Sequence, residues 1–342
     1  MSLALIEALK SLASGQDLEA DEAEAAVLVL LSGEASEAVA AAFLTASRVK
    51  GETEAELAGT VRAVLSRMDV AGLSLPERDV LDTCGTGGDG ANTVNVSSAT
   101  AVVVAACGIR VAKHGNRSAS GNSGSSEVFA ALGIAVEAHP HVLSRCLAEA
   151  GITFLFAPRF HPGLKHLAPV RRHLPFRTLF NLVGPLVNPA RPDFQLVGVA
   201  GTREGELVAG ALAKIGTRRA AVVTGDDGLD EVTLTGSTRV LLVEDGQVRG
   251  LTWTPRDFGL GKVELSDLRV SGPADSAARI SHTFAGEPGP VRDVIVANTA
   301  AALWVAGEAD LKRGVERAID AIDSGAAGRV LKHWREVSHE TA

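Results

Sequence analysis

Apolar positions along the chain change their period once, near residue 79. Before that point they recur every three to four residues, the period of a helix with one buried face. Leu5, Leu9 and Leu12 open with this spacing. A second run over 21–31 stops at Gly33, and a third over 36–50 stops at Gly51. Thr53 and Glu56 then form a capping box ahead of Leu57, Val61, Val64, Leu65 and Met68. The pattern predicts a small all-helical domain. Its wide Ala-rich faces permit close helix approach, which serves internal packing or an association surface equally well. From residue 79 onward short apolar runs alternate with helical stretches. Strands are predicted up to Val80 and Leu81 and over 109–112, 134–136, 152–156, 196–200 and 221–224. Helices are predicted over 99–106, 125–132 and 207–215, with another opened by Pro140. Such alternation predicts an α/β fold, a mostly parallel central sheet flanked by helices, with ligands at the carboxyl ends of its strands. Runs over 240–243 and 247–251, joined through Asp245-Gly246, predict an added hairpin. Helices over 274–284, 291–305 and 311–322 follow.

Composition narrows the function classes. A length of 342 residues suggests two domains, or one large domain with an appendage, and 46% hydrophobic with 22% charged residues is ordinary for a soluble protein. No apolar run is long enough to span a bilayer, and Glu7 interrupts the first one, so neither a signal peptide nor a membrane span is expected. A net charge of −8 disfavours a general nucleic-acid or membrane-surface partner, so any anion site must be local. Cys84, Cys107 and Cys146 are too few and too widely spaced for a disulfide framework or a C-x-x-C metal site. A reducing cytoplasm is the default.

The local anion site is legible between Val80 and Gly124. Gly85, Gly87, Gly88 and Gly90 follow a strand and free the backbone to aim N–H groups at one anion. Ser97 and Ser98 are N-cap candidates for the apolar helix behind them, whose positive end adds to the field. The strand over 109–112 delivers Lys113, His114 and Arg117 to the same edge, and residues 91–126 contain no Asp or Glu. Gly85, Gly87 and Gly90 also satisfy G-x-G-x-x-G, but a dinucleotide site needs a carboxylate about 20 residues on. Lys113 and His114 stand there instead. A flexible linker lacks flanking strands and clustered cations, and a P-loop needs a G-K-[ST] that is missing.

Two later segments carry further chemistry. Thr224 to Glu231, TGDDGLDE, follows a strand and holds adjacent carboxylates without a nearby Lys or Arg. That suits Mg²⁺, a hard cation that bridges to substrate phosphates; a solvated acidic turn is the alternative. The stretch 161–189 interrupts the strand–helix alternation with His, Arg and Pro. His161, His166 and His173 do not have zinc-ligand spacing. Arg171 and Arg172 are either a solvated pair or a guanidinium receptor for a carboxylate.

GTGGDG, NTVNVSS and KHGNRSASGNSG together resemble the signature of the anthranilate phosphoribosyltransferase family. FLFAPRFHPGLKHLAPVRRHL, RTLFNLVGPLVNPARP, TGDDGLDEVT and GPVRDVIVANTAAAL are similar to family segments in the same order, so the resemblance covers essentially the whole chain. Ser98 stands where the family commonly has Thr, and Gly121 where it often has a second Ser. The first keeps a hydroxyl and the second a backbone N–H. The resemblance implies transfer of a phosphoribosyl group from 5-phosphoribosyl diphosphate to the amino group of anthranilate, the second step of tryptophan biosynthesis from chorismate. It implies Mg²⁺, one or two per subunit, and a homodimer. It implies a small helical dimerisation domain of residues 1–72 plus about 161–187, and a large α/β domain of residues 73–160 plus 188–342.

Residue by residue, the resemblance assigns the donor to Gly85, Gly88, Asp89, Thr93, Asn95, Val96, Ser97 and Ser98 in the first motifs. In the basic motif it assigns Lys113, His114, Gly115, Asn116, Arg117, Ser118, Ala119, Ser120, Gly121 and Ser125. It gives anthranilate to Gly85, Asn116 and Arg171, and Mg²⁺ to Asp230 and Glu231 with Ser97 at a second ion. Asp226 and Asp227 shape the turn, and His114 lies beside the acceptor path without an assigned role as base. Two other functions fit parts of the pattern. A pyrimidine-nucleoside phosphorylase shares the architecture, and a non-catalytic nucleic-acid binder would need a basic surface that the −8 charge argues against.

Overall fold

The structure, a computed structural model, describes residues 2–76, 78–117 and 123–340. The sites assigned to Ser118, Ala119, Ser120 and Gly121 lie outside those residues. Four helices open the chain: α1 (Leu3–Ala13), α2 (Ala20–Ser32), α3 (Glu37–Lys50) and α4 (Glu54–Ser66). Their ends are set by the predicted signals. Gly33 takes a left-handed φ of 80° after α2, the Ser36 side chain accepts from Val39 N–H, and Thr53 with Glu56 closes a capping box on α4. Glu56 also accepts the Leu18 N–H and pairs with Lys50 at 2.9 Å, so one buried carboxylate ties α4 to the end of α3 and to the loop between α1 and α2.

A seven-stranded sheet follows, in the order β3-β2-β1-β4-β5-β6-β7. Its strands are β1 (Val80–Gly85), β2 (Arg110–Gly115), β3 (Ile152–Phe156), β4 (Phe194–Gly198), β5 (Arg219–Gly225), β6 (Thr238–Glu244) and β7 (Gln247–Trp253). β1 to β5 pair in parallel, and β6 and β7 add an antiparallel hairpin turned by Asp245 and Gly246 at φ 49° and 73°. Around the sheet lie α5 (Val96–Ala106), α6 (Ser125–Ala131), α7 (Pro140–Arg145), α8 (Ala157–Phe160), α9 (Ala168–His173), α10 (Phe180–Val183) and α11 (Thr202–Ile215). The last part of the chain forms α12 (Pro255–Phe258), α13 (Leu265–Leu268), α14 (Pro273–Phe284), α15 (Pro290–Val305), α16 (Leu311–Asp323) and α17 (Ala326–Ser338).

The strands read as continuous apolar runs because both sheet faces are covered. Along β5, Ala221 and Val223 face the core built with α5, α15 and α17, whereas Ala220 and Val222 face one shared with α11 and α1–α4. Leu167, Val170, Leu179, Phe180 and Val183, from the segment that interrupts the alternation, belong to this second core.

Four local expectations are corrected. β1 continues to Gly85 rather than ending at Leu81, so the glycine loop springs directly from the strand. Residues 134–136 form no strand: Ile134 N–H bonds Phe129 O to close α6, and Ala135 N–H bonds the Ser338 hydroxyl, which leaves β3 as the sheet edge. Ser97 and Ser98 are not caps but lie in the first turn of α5, behind Asn95 at the N-cap position. A last helix, α17, was not anticipated; it buries Leu331, Trp334 and Val337.

Candidate active site

β1 has β2 on one side and β4 on the other, so successive connections leave it in opposite directions. Such a switch point opens a crevice at the carboxyl ends of the strands. The glycine loop fills the start of it, pinned to β4 by Thr86 N–H donating to Gly198 O. Gly87, Gly88 and Gly90 take φ of 62°, 86° and 70°, conformations that L side chains resist. A cavity of about 470 Å³ opens here, walled by the glycine loop, the end of β2, the start of α5, the acidic motif and the 157–187 segment. A shallower cleft of about 650 Å³ beside Trp253, Trp304 and Arg313 contains none of these groups.

The acidic motif reaches the glycine loop from the end of β5. Asp230 accepts the Gly87 N–H at 2.8 Å, and a Cβ on Gly85 would press on the same carboxylate. Glu231 accepts the N–H of Ser97 at 3.0 Å, in the first turn of α5. Burial first, then repulsion from Asp89, raises the Asp230 carboxyl above its ordinary range, and burial with repulsion from Asp230 does the same to Glu231. Lys113, only 2% exposed, opposes this charge from below; its Nζ donates to Thr83 O and, at 3.2 Å, to the Ser97 hydroxyl. Among the described residues no three His, Cys, Asp or Glu side chains form a ready-made metal cage. Three mutually repelling carboxyl groups with an open side fit Mg²⁺, which usually keeps waters and takes substrate phosphates as further ligands. Asp226 and Asp227 face elsewhere: Asp226 holds Ser237, and Asp227 holds Thr233 and Thr235.

Of the remaining predicted residues, Gly85, Gly88, Thr93, Asn95, Gly115, Asn116, Arg117 and Ser125 line the cavity, whereas Val96 and Ser98 do not. Val96 is 1% and Ser98 0% exposed, and their N–H groups bond Val94 O and Asn95 O. Asn95 is committed within the protein: its amide donates to Ser123 O and accepts from the Ser123 and Ser276 hydroxyls. Arg117 pairs with Glu137 at 2.9 Å and lies over the Phe156 ring.

The opposite wall is less charged. His114 is buried, and its Nδ1 lies 3.0 Å from Gly184 O. A carbonyl only accepts, so Nδ1 carries the proton and Nε2 is a buried lone pair without a protein partner among the described residues. Burial lowers the imidazole to about 3, helped by His161, whose ring packs edge-on at 5.2 Å. Burial likewise lowers His161 to about 4. Both are neutral at pH 7. Arg171 lines this end with its guanidinium 5.9 Å from the Phe180 ring centre, and burial lowers its pKa from the ordinary value, while Arg172 is exposed. His161, Arg177 and Asn181 also line the cavity and were not foreseen. Arg177 lies in the RTLFN stretch, but only the fold reveals that it touches the glycine loop.

Comparison with known proteins agrees with this geometry over the whole chain. The description "Glycosyl transferase family, helical bundle domain" matches residues 6–68, and "Glycosyl transferase family, a/b domain" matches residues 77–328. An anthranilate phosphoribosyltransferase of Symbiobacterium thermophilum is 45% identical over 333 residues, covering 97% of each chain. The crystal structure of the Thermus thermophilus enzyme of that name superposes with a TM-score of 0.91 at 38% identity, over 97% of this chain and 99% of the other. The Saccharomyces cerevisiae enzyme in complex with PRPP and Mg gives 0.88 at 30% identity, over 99% and 98%. Its complex with 4-fluoroanthranilate gives 0.86 at 29%, over 98% and 97%. A glycine cradle and an acidic pair meeting at the β1–β4 crevice, on a chain matched over 97% of its length, place this protein in the anthranilate phosphoribosyltransferase family.

Proposed function

We propose that this cleft transfers the phosphoribosyl group of 5-phosphoribosyl diphosphate to the amine of anthranilate, releasing diphosphate and N-(5-phosphoribosyl)anthranilate. The observation that carries the proposal is the bond between Gly87 N–H and Asp230, which joins a backbone anion cradle to a carboxylate cluster 143 residues away. An anion-binding loop and a cation-demanding cluster side by side suit a magnesium–diphosphate pair.

The donor end holds the leaving group. Gly88 N–H supplies a fixed dipole toward the diphosphate, and a fixed dipole needs no reorganisation as charge develops. Asp230 and Glu231, with Asp89 beside them and the Ser97 hydroxyl near by, would hold Mg²⁺, one or two ions per subunit. When bound, the ion neutralises negative charge that accumulates on diphosphate as the C1–O bond breaks. Lys113 keeps Ser97 in place and offsets the Glu231 charge.

The acceptor end orients a neutral aromatic amine. Arg171 receives the carboxylate with its guanidinium fork, and Asn116 and Gly85 border the same space. His114 borders the same space with its Nε2 buried. An imidazole lowered to about 3 is a poor proton acceptor at pH 7, so its work is orientation. An aromatic amine is already uncharged at that pH. Bringing amine and C1 together in line supplies much of the rate.

We further propose a homodimer formed through the small helical domain, residues 1–72 plus about 161–187, with the α/β domain comprising 73–160 plus 188–342. Gly163 packed on Leu31 of α2, and Leu167, Val170 and Phe180 in the core that α1–α4 share with α11 and the sheet, support grouping these segments. A cytoplasmic location accords with three free cysteines. Among the described residues no helix is long and apolar enough to cross a membrane.

The test is direct. Purified protein with anthranilate, 5-phosphoribosyl diphosphate and Mg²⁺ should consume the anthranilate fluorescence, and chelation should stop it. Stable fluorescence under these conditions overturns the assignment.

A further inference from the structure

Arg177 makes contacts that a solvated arginine would not. Its Nη1 donates to Gly87 O at 2.8 Å and its Nη2 to Thr86 O at 3.3 Å, although its own position in the chain is 90 residues away. The side chain lies across Gly88 so closely that a Cβ there would collide with the guanidinium. Arg177 follows α9 and precedes α10, in the same segment as Arg171. It therefore reaches from the acceptor wall to the donor loop.

The geometry of the peptide gives this contact a consequence. The Thr86–Gly87 peptide is held from both sides, its C=O by Arg177 and its N–H by Asp230 at 2.8 Å. The next peptide is held on one side only, with Gly87 C=O on Arg177. In a trans peptide N–H and C=O point in opposite directions, so Gly88 N–H faces away from the guanidinium. Gly87 and Gly88 take positive φ of 62° and 86°, and the Thr86 and Gly87 carbonyls meet one guanidinium, so the N–H groups of the same two peptides point the other way. Gly88 N–H has no protein partner among the described residues. Within the loop only the Thr86 hydroxyl reaches the Gly87 carbonyl, at a long 3.4 Å, and the glycines bring no side chain of their own, so without Arg177 alternative conformations would point the donors apart.

We infer that Arg177 is a positioning residue: by gripping the carbonyls of Thr86 and Gly87 it sets the direction of the Gly88 N–H and preorganises the loop for the diphosphate. The inference rests on the donor reading of this cleft. It adds that the loop's shape is imposed from the acceptor-side segment, so the order of that segment sets affinity for the donor.

The experiment compares Arg177→Ala and Arg177→Lys with the parent protein, using calorimetric titration of 5-phosphoribosyl diphosphate with Mg²⁺, anthranilate fluorescence titration and thermal melting. Hydrogen bonds from a charged donor support a loss of about tenfold to hundredfold in donor affinity for Arg177→Ala. Anthranilate affinity should be unchanged. The melting temperature should stay near that of the parent, because the side chain is exposed. Arg177→Lys should recover only part of the loss, since one ammonium does not reproduce the planar fork. Methylguanidinium added to Arg177→Ala should restore donor affinity in part. Parent-like donor affinity in Arg177→Ala overturns the inference, as does an equal loss for both ligands with a lowered melting temperature. Should Arg177→Ala not fold, Arg177→Lys decides: weakened donor binding at an unchanged melting temperature supports the inference, and parent-like binding overturns it. A parent protein that leaves anthranilate unconsumed defeats the donor reading itself, a result distinguishable from either.

Discussion

The two ends of the cleft solve opposite electrostatic problems. At the donor end, Asp89, Asp230 and Glu231 are crowded until burial and mutual repulsion raise the latter two carboxyls. At the acceptor end, His114 and His161 are buried until neither ring takes up a second proton and becomes a cation at pH 7. One end is short of a cation and the other avoids ions apart from Arg171. The difference shows how one cavity receives a highly charged donor and a flat, singly charged acceptor without confusing them. Charge selects the first, and desolvated shape with a single guanidinium selects the second.

The sharpest way to break this contrast is to remove the cation demand. Asp230→Asn and Glu231→Gln keep size and lose charge. Each is expected to lower kcat/KM by about 10²–10³, the scale seen when transition-state charge stabilisation is lost. Each should also move the Mg²⁺ titration to higher concentration. An unchanged Mg²⁺ dependence would take that residue out of the metal site. Asp226→Asn, on the turn, should leave the titration where it was, because its carboxylate is held by Ser237.

A smaller effect is expected at the other end. Arg171→Ala should raise the KM for anthranilate by about 10- to 100-fold, as for a lost charge-assisted pair, and leave the KM for the donor alone. Arg171→Lys should recover little, since the fork and not only the charge matches a carboxylate. A matching rise in the donor KM would show that the two ends are not separate.

The same contrast appears in stability against pH. His114 has an ordinary value of 6.5 and falls to about 3 in the fold, so the unfolded chain takes the proton first. Its contribution is full above pH 6.5 and is lost as pH falls from there toward 3. Asp82 behaves oppositely. Burial raises it from 3.8 to about 6, so its contribution is full below pH 3.8 and is lost as pH rises toward 6. The two trends partly cancel in the parent. His114→Asn keeps a donor for Gly184 O but does not titrate, so its melting temperature should fall less than the parent's between pH 6.5 and 4. Parallel curves would mean that His114 is not held neutral.

How much of this was legible in the sequence follows from how local each signal is. The glycine run, the capping box of α4, the Asp245-Gly246 turn and the paired carboxylates each sit within a few residues of their effect, and the structure has them where the chain suggested. Residues 134–136 were misread because an isolated apolar triplet looks the same in a strand and beneath a helix end. Ser97 and Ser98 looked like caps because hydroxyls precede an apolar run, but Asn95 takes the cap position through Ser276, 181 residues away. Arg177 was invisible for the same reason. Its meaning lies in touching Gly87 across 90 residues, and no spacing rule encodes that contact.

The smallest expected effect is on the rate through His114. If this imidazole were a general base, its removal would cost about 10²–10⁴ in kcat and erase a limb of the pH profile. The structure argues for much less. Nδ1–H is occupied by Gly184 O, the ring is neutral with its value lowered to about 3, and the acceptor amine needs no deprotonation before attack. His114→Asn is therefore expected to keep kcat within about tenfold of the parent, well short of the loss for a proton acceptor. It should raise the anthranilate KM moderately and leave the shape of the kcat profile between pH 6 and 8.5 unchanged. Loss of a limb in that range would return His114 to proton transfer and make the acceptor end, like the donor end, a place where charge moves.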